Sequence, residues 1–280
     1  VGVVVWDLTD FFYSEILRGI ENTLHSSGYN LLLNSAEADN ERERVCLEKM
    51  RDLHVDGILL VGGSADAYTR YLDELGIDDS SVVLIGTAVE GRDINSVTVD
   101  NYTGGYIGME YLLRMDRKRV AYFAGSYKTT DMKRRLSGVK HAVADRFAGD
   151  RCSLLDVGPG EQQGYDAAGQ LFEESELPAA IFAVSDLTAF GVIRAVKDRG
   201  LRVPEDVAVL GFDDIKMSTF FHPRLSTIHQ PRYQMGEMGA GLLIESIDWR
   251  SKKEKEGDSV PPRTARQILL SPELKVRESS

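Results

Sequence analysis

The chain has 280 residues, of which 42% are hydrophobic and 28% charged, and its formal net charge at pH 7 is -11. This length allows one large or two medium domains, while the negative charge argues against a DNA-binding surface, which needs many Lys and Arg side chains. Cys46 and Cys152 form no CxxC pair and lie in no zinc-like Cys/His cluster, and the sequence has no apolar run of the roughly 20 residues that cross a membrane.

The N-terminal part of the sequence alternates between short β-branched runs and helical patterns. The run Val1–Trp6 predicts a strand, and Ile16, Ile20 and Leu24 then share one face of a helix that Gly28 ends. The pattern continues as strand Leu31–Leu33, helix Glu41–Leu53, strand Gly57–Val61, helix Asp66–Leu75 and strand Val82–Ile85.

The same alternation resumes after Asp100. It predicts helices Thr103–Met115, Met132–Phe147, Gln162–Glu174 and Leu187–Arg199, interleaved with strands Arg119–Phe123, Ser153–Val157, Ala180–Val184 and Val207–Leu210. The pattern then changes to an extended segment Leu225–Gln230, a helix Gln234–Trp249 and an extended segment Gln267–Leu270.

This β-α-β-α order predicts an α/β fold with parallel sheets. Strands that are apolar on both faces are typical of doubly wound parallel sheets covered by helices. One sheet of eight or more strands is an alternative, but two sheets, one per lobe, agree better with usual domain sizes. Three crossovers, near Val99–Asn101, Gln230–Pro231 and Pro261–Arg263, then divide the chain into lobes 1–100 plus 231–260 and 101–230 plus 261–280.

Ligands of open α/β sheets bind beyond the carboxyl ends of the strands. Phe12 and Tyr13 follow the first strand, and Asp213 and Asp214 follow the strand that ends at Leu210. Carboxylates accept protons from sugar hydroxyls and aromatic rings pack on apolar sugar faces, so this combination suits a polyhydroxylated ligand. Alternatively, the aspartates cap a turn and the aromatic residues belong to the core of the first helix.

Two further short segments, each at the start of a helix, have both a structural and a ligand-binding interpretation. Ser185 and Asp186 lie at a helix start, where one of them caps the helix and the other is free to contact a ligand. Lys133, Arg134 and Arg135 open a helix, where a basic run is usually solvated, although Arg135 precedes the apolar Leu136 and could turn inward.

Signatures of catalysis are scarce. The sequence contains no GxGxxG, P-loop, HExxH or GxSxG motif, and its five histidines are scattered. We therefore expect a protein that is not an enzyme and that uses no cofactor and no metal.

Several blocks of the sequence are similar to the LacI/GalR family of bacterial transcription regulators. They are Gly2–Val5 with Phe11–Glu21, Val55–Ile58, Val99–Asn101, Gly200–Asp214, Leu225–Pro231 and Val276–Ser280. The Gly200–Asp214 block is the most specific of them, and together they cover essentially the whole chain.

The resemblance implies a cytoplasmic regulator, most simply a repressor, with the two-lobed fold of type I periplasmic binding proteins. It implies a sugar-like effector in the cleft between the lobes, no membrane association, and operator binding only through an N-terminal helix-turn-helix that this sequence does not include. It also implies a homodimer, with contacts at the helix after Asp66 and at the loop Phe220–His222. The family's effector contacts fall on Phe12, Tyr13, Arg135, Ser185, Asp186, Asp213 and Gln230.

Two other functions fit parts of this picture. A periplasmic sugar-binding protein of a transport system has the same fold, but the Val203–Asp206 block and the Arg277–Ser280 tail favour the regulator. An enzyme is also compatible with an α/β scaffold, because fold alone does not exclude catalysis.

Overall fold

The computed structural model describes residues 1–115, 119–125, 129–146, 149–158, 160–174 and 179–280. The chain forms two compact units, Val1–Val99 with Pro231–Leu270, and Asp100–Gln230 with Ser271–Ser280. Phe147, the last residue of one predicted helix, lies outside the described residues.

Short strands and longer helices alternate along most of the described chain. The strands are β1 (Gly2–Val5), β2 (Leu32–Ser35), β3 (Ile58–Val61), β4 (Val82–Ile85), β5 (Asn95–Val99), β6 (Val120–Ala124), β7 (Cys152–Asp156), β8 (Ala180–Ala183), β9 (Ala208–Asp213), β10 (Ser226–His229), β11 (Gln267–Leu270) and β12 (Glu273–Lys275). The helices are α1 (Phe12–Ser26), α2 (Asn40–Asp52), α3 (Ala65–Leu75), α4 (Asn101–Arg114), α5 (Thr130–Asp145), α6 (Glu161–Glu174), α7 (Asp186–Asp198) and α8 (Arg232–Glu256).

The first unit is a parallel sheet with helices on both faces. Its strand order is β11-β5-β4-β3-β1-β2, and each neighbouring pair is parallel. Helices α1 and α8 pack on one face through Ile16, Ile20 and Leu243, and α2 and α3 pack on the other through Leu47 and Leu72. Such burial on both faces explains why the strands read as continuous apolar runs.

The second unit repeats this arrangement. Its strand order is β12-β10-β9-β8-β6-β7, in which β12 is antiparallel to β10 and the other pairs are parallel. Helices α4 and α5 cover one face and α6 and α7 the other. The two helix-flanked, mainly parallel sheets confirm the fold class expected from the sequence.

Three helix pairs pack with their backbones in contact. In each pair, a glycine of one helix lies against a backbone carbonyl of the other so closely that a methyl group could not be placed there. The pairs are Gly19 of α1 with Gly236 of α8, Gly105 of α4 with Gly138 of α5, and Gly164 of α6 with Gly191 of α7. Each helix pair therefore depends on the missing side chain at both positions.

The third crossover lies later than the sequence predicted. Residues 261–270 were expected in the second lobe, but β11 pairs in parallel with β5, with Gln267 opposite Ser96 and Leu270 opposite Val99. This pairing places Pro261–Leu270 in the first unit, and the chain enters the second unit again at Ser271.

Two other elements differ from the predicted pattern. Strand β5 was not predicted, because its first residues, Asn95 and Ser96, are polar although they are buried. Helix α8 continues to Glu256, well beyond the predicted end at Trp249, through the charged run Arg250–Glu256.

Candidate ligand-binding site

Asp213 and Gln230 are brought together at the carboxyl ends of two neighbouring strands. Strands β9 and β10 are parallel, with His229 opposite Asp213, so Gln230 follows directly beside the aspartate. The buried Gln230 donates a hydrogen bond from Nε2 to Oδ1 of Asp213 at 2.7 Å. The amide thus fixes the carboxylate of Asp213, which is itself partly accessible.

Asp214 has a different environment from Asp213. Its carboxylate binds Nη2 of Arg277 at 2.6 Å and Nδ1 of His229 at 2.9 Å. Burial by itself raises the pKa of Asp214, but the hydrogen bonds with His229 and Arg277 outweigh burial and hold that pKa below its ordinary value. Asp214 is therefore an ionised structural group beside the candidate ligand-binding residue.

Arg135 turns inward from α5 although its basic neighbours are exposed. Its side chain donates from Nε and Nη2 to Oδ1 of Asn101, at 3.1 and 2.8 Å, and from Nη1 to the carbonyl of Val184. The guanidinium also lies over the ring of Phe212, 3.3 Å from its centroid. A guanidinium has more N–H donors than these contacts use, so further acceptors can bind to it.

Asp131 lies one helical turn before Arg135 and was not predicted from the sequence. Burial raises its pKa to about 6, against the opposing effects of Arg135, Arg134 and a hydrogen bond with Asn101. The available signal was the i, i+4 spacing of an acid and a base in the first turns of a helix. Asp131, Asn101 and Arg135 form one polar cluster beside Phe212, which precedes Asp213.

Ser185 and Asp186 start α7 and both have internal partners. Ser185 is the helix N-cap, and its Oγ accepts from the backbone N–H of Thr188 at 3.2 Å. Asp186 is fully buried and accepts hydrogen bonds from the N–H of Ile215 at 2.8 Å, from Ser218 at 2.6 Å and from Thr227 at 2.5 Å.

Burial raises the pKa of Asp186 to about 7, in opposition to these three donors. The backbone of β9 is also close, because a methyl group on Gly211 would collide with the carboxylate. The oxygens of Asp186 are buried among donors of this unit, so its geometry favours a structural role, and the expected ligand contact stays a prediction. In its structural role, Asp186 holds the loop after β9 in place.

Phe12 and Tyr13 belong to the first unit. They begin α1, where the N–H of Phe12 donates to Oδ1 of Asp10 at 2.9 Å. Their rings meet edge to face with centroids 5.2 Å apart, and both are partly buried against the core. Both the core and the ligand-binding interpretation of this pair stay open.

Neither a metal site nor a membrane helix is found in the described part of the chain. Among those residues, no three His, Cys, Asp or Glu side chains are grouped so that they could hold a metal ion. None of the described helices is long and apolar enough to cross a membrane.

Comparison with known proteins gives a consistent result. Residues 109–280 match the family described as periplasmic binding protein-like domain. The chain is 31% identical over 250 residues to catabolite control protein A of Priestia megaterium, covering 89% of this chain and 75% of that protein. It is also 31% identical over 248 residues to the ribose operon repressor of Escherichia coli, covering 88% of this chain and 75% of that protein.

A solved structure extends the similarity over the full chain. A LacI family transcriptional regulator from Enterococcus faecium, crystallised with bound ribose, aligns with a TM-score of 0.83 and 26% sequence identity. The alignment covers 100% of this chain and 97% of that one.

Proposed function

Because the chain belongs to the LacI family of transcription regulators and contains the periplasmic binding protein-like domain, we propose that it binds a small neutral sugar through the strand ends of its second unit. Asp213, Asp131 and Arg135 are the main polar contacts in this proposal. Ligand binding then controls the affinity of the full regulator for its operator. The relatives are transcription regulators, which favours a sensing role over catalysis.

The observation that carries this proposal is the grouping of acceptors and donors around Phe212. Asp213 extends from the same strand end as Phe212, and Arg135 lies over the phenyl ring with Asn101 beside it. Carboxylates accept from sugar hydroxyls and a guanidinium donates to them, and charged partners make such hydrogen bonds stronger.

The same grouping selects against phosphorylated ligands. The proposed site combines two carboxyl groups, that of Asp213 and that of Asp131 in the polar cluster, with the inward-facing guanidinium of Arg135. A phosphate group next to two carboxylates is disfavoured by like-charge repulsion in a site of low dielectric constant. The bound ribose in the similar Enterococcus faecium structure supports a neutral sugar as the ligand class.

Assembly and DNA binding complete the proposal. A repressor of this kind places two headpieces on two half-sites, so the sensing domain needs a twofold interface. We place part of that interface at the loop after β9, where Phe220 is 74% and Met217 48% exposed. Because the net charge of this chain is -11, we assign operator binding to the family's helix-turn-helix and infer that the regulator acts in the cytoplasm.

The proposal is tested by calorimetry and thermal shift with D-ribose, D-glucose, cellobiose and ribose 5-phosphate. We expect at least one neutral sugar to bind and the phosphate not to bind. At a sugar concentration 100 times its dissociation constant, the stabilisation amounts to about 2.7 kcal/mol. Binding by none of the neutral sugars, or by the phosphate alone, contradicts the proposal.

The substitution Asp213→Asn tests the residue that we assign to the site. Asparagine keeps an acceptor for Gln230 and tolerates the positive φ of 118° at this position, so the fold persists while the charge is lost. Loss of a charged partner costs a ligand hydroxyl about 1.5–3 kcal/mol, and we expect binding to weaken at least about tenfold. The control is Asp198→Asn, an exposed carboxyl at the end of α7, which leaves the affinity unchanged.

A further inference from the structure

Hydrogen bonds hold the C-terminal segment against the middle of the second sheet. Ser279 is fully buried, and its Oγ donates to the carbonyl of Val209 at 2.6 Å while accepting from the N–H of Ser226 at 2.8 Å. The N–H of Val209 donates in turn to the carbonyl of Ser279 at 2.7 Å. Residues 277–279 are thus held against both β9 and β10, the strands that end at the candidate ligand-binding site.

Arg277 reaches from this segment to the carboxylate of Asp214. Its Nη2 donates to Oδ1 of Asp214 at 2.6 Å and its Nη1 to the carbonyl of Leu225 at 2.8 Å, while His229 holds the other carboxylate oxygen at 2.9 Å. The side chains of Arg277 and Asp214 are only 17% and 12% exposed. The electrostatic attraction between two charges so shielded from water is stronger than between two charges on the surface.

The backbone that this ion pair holds is strained. Asp213 and the following Asp214 have φ angles of 118° and 56°, in a region that side-chain-bearing residues rarely adopt. Such a conformation persists where the surroundings impose it. Arg277 and His229 on the carboxylate, and Thr227 on the N–H at 3.4 Å, impose it at Asp214.

We propose that Arg277 is a positioning residue for sugar binding, which holds Asp214 in its strained conformation and thereby aims the adjacent Asp213 carboxylate at the ligand. The C-terminal tail, which reaches the site through the contact of Arg277 with Asp214, is in this way a determinant of affinity. The proposal rests on the function proposed above, in which Asp213 binds the sugar.

The test compares Arg277→Gln with Arg224→Gln. Arg224 is the matched control, because it also binds the tail, through Glu278 at 2.9 Å, but is 58% exposed and does not contact Asp214. With D-ribose as the probe, we expect Arg277→Gln to weaken binding about tenfold and Arg224→Gln to leave it unchanged. Unchanged affinity in Arg277→Gln would overturn the proposal.

A double-mutant cycle separates positioning from a general loss of stability. The isosteric Asp214→Asn removes the ion pair from the other side, so Arg277→Gln should cause no further loss of affinity in that background. A loss that adds fully to that of Asp214→Asn means that Arg277 acts by another route, and overturns the proposal.

Hydrogen exchange of the ligand-free chain gives an independent readout. We expect faster exchange of the amides at 213–215 in Arg277→Gln and no change there in Arg224→Gln. If the unaltered chain does not bind D-ribose, the proposed sugar-binding function fails for that ligand. The exchange measurement then still decides whether Arg277 holds the strand end, since equal exchange in both variants would refute it.

Discussion

At the scale of single residues, Glu43 is the fully buried carboxyl group of the first unit. It is fully buried on α2, 2.7 Å from the hydroxyl of Tyr68, which also lies 2.6 Å from the carbonyl of Gly62. Burial raises the pKa of Glu43 to about 7, against the effect of the Tyr68 hydrogen bond. A protonated Glu43 can donate from Oε1 to the hydroxyl of Tyr68, which then donates its own proton to the carbonyl of Gly62, while the buried Oε2 of Glu43 has no hydrogen-bond partner among the described residues.

This environment predicts a pH dependence of stability that Glu43→Gln removes. A folded-state pKa raised from 4.5 to about 7 means that the folded chain retains a proton which the unfolded chain releases. Its stabilising effect is therefore complete below pH 4.5 and is lost as the pH rises through 7. From pH 5 to pH 8, we expect the unfolding free energy of the unaltered chain to fall by about 2 kcal/mol more than that of Glu43→Gln.

Urea unfolding at the two pH values measures this difference. The control is Glu41→Gln on the same helix, since the side chain of Glu41 is 75% exposed and should not alter the pH profile. Parallel pH profiles for the unaltered chain and Glu43→Gln would show that Glu43 is ionised in the folded protein at neutral pH.

The sequence predicts the role of a residue best when that role depends on residues a few positions away. The Ser185 cap depends on Thr188, three positions along the same helix, and was among the predicted alternatives. The burial of Asp186 depends instead on Ser218 and Thr227, which are 32 and 41 positions away. No local pattern contains those donors, so the sequence left Asp186 equally open to capping and to ligand contact.

At the scale of elements, the glycine contact between α4 and α5 supports the candidate site. Gly105 and Gly138 allow the two helix backbones to touch, and the same helices carry Asn101 and Arg135, which bind each other. The distance between these two side chains therefore depends on the distance between the helix axes. Close packing of the helices is a condition for the polar cluster.

This dependence predicts the effect of Gly138→Ala. A methyl group at this position collides with the carbonyl of Tyr102, so the helices must separate. Overpacking of this kind costs about 1–3 kcal/mol, and we expect weaker sugar binding in addition, because Arg135 moves away from Asn101. Denaturant unfolding and calorimetry measure the two effects.

Gly241→Ala is the matched helical control. Gly241 lies in α8 with no atom close to the position of an added methyl group. Replacing a helical glycine by alanine at an open position stabilises by about 0.5–1 kcal/mol. If Gly138→Ala behaves like Gly241→Ala, the close contact between α4 and α5 has no energetic importance.

The elements themselves were largely predictable because most strands are apolar on both faces. Strand β5 is the informative exception. Its buried Asn95 donates to Ser246 of α8 at 3.1 Å and accepts from the N–H of Arg266 at 2.8 Å. These partners are 151 and 171 positions away in the sequence. The polar residues of β5 therefore suggested a loop, whereas the side chain of Asn95 forms its hydrogen bonds inside the fold. Long-range pairing of β11 with β5 also explains why the third crossover lies at Ser271 and not near Arg263, where the sequence predicted it.

At the scale of the whole molecule, the exposed loop after β9 supports the proposed homodimer. Phe220 is 74% exposed, while its neighbour Phe221 is stacked on Phe190 with ring centroids 4.4 Å apart. The stacked ring anchors the loop, and the exposed ring stays available to a partner. Aromatic side chains with this combination of rigidity and exposure are typical of interface centres.

We therefore expect the chain to sediment as a dimer at tens of micromolar and Phe220→Asp to sediment as a monomer. A charge at the centre of an apolar interface must be desolvated without a partner, which opposes association. The control is Leu154→Asp on β7, an exposed apolar residue outside the proposed interface, which should stay dimeric. A monomeric unaltered chain, or a dimeric Phe220→Asp, excludes this interface.

The three crossovers between the units also determine the order in which the two sheets can be completed during synthesis. The first sheet lacks its outer strand β11 until Leu270 has left the ribosome, and the second lacks β12 and the Ser279 contacts until Ser271–Ser280 follow. Neither unit is a contiguous piece of the message, so the first sheet is completed only after most of the second unit has been synthesised. A chain that stops at Leu270 lacks both β12 and Arg277, so the proposed role of Arg277 predicts that such a product has an altered ligand site as well as an incomplete second sheet.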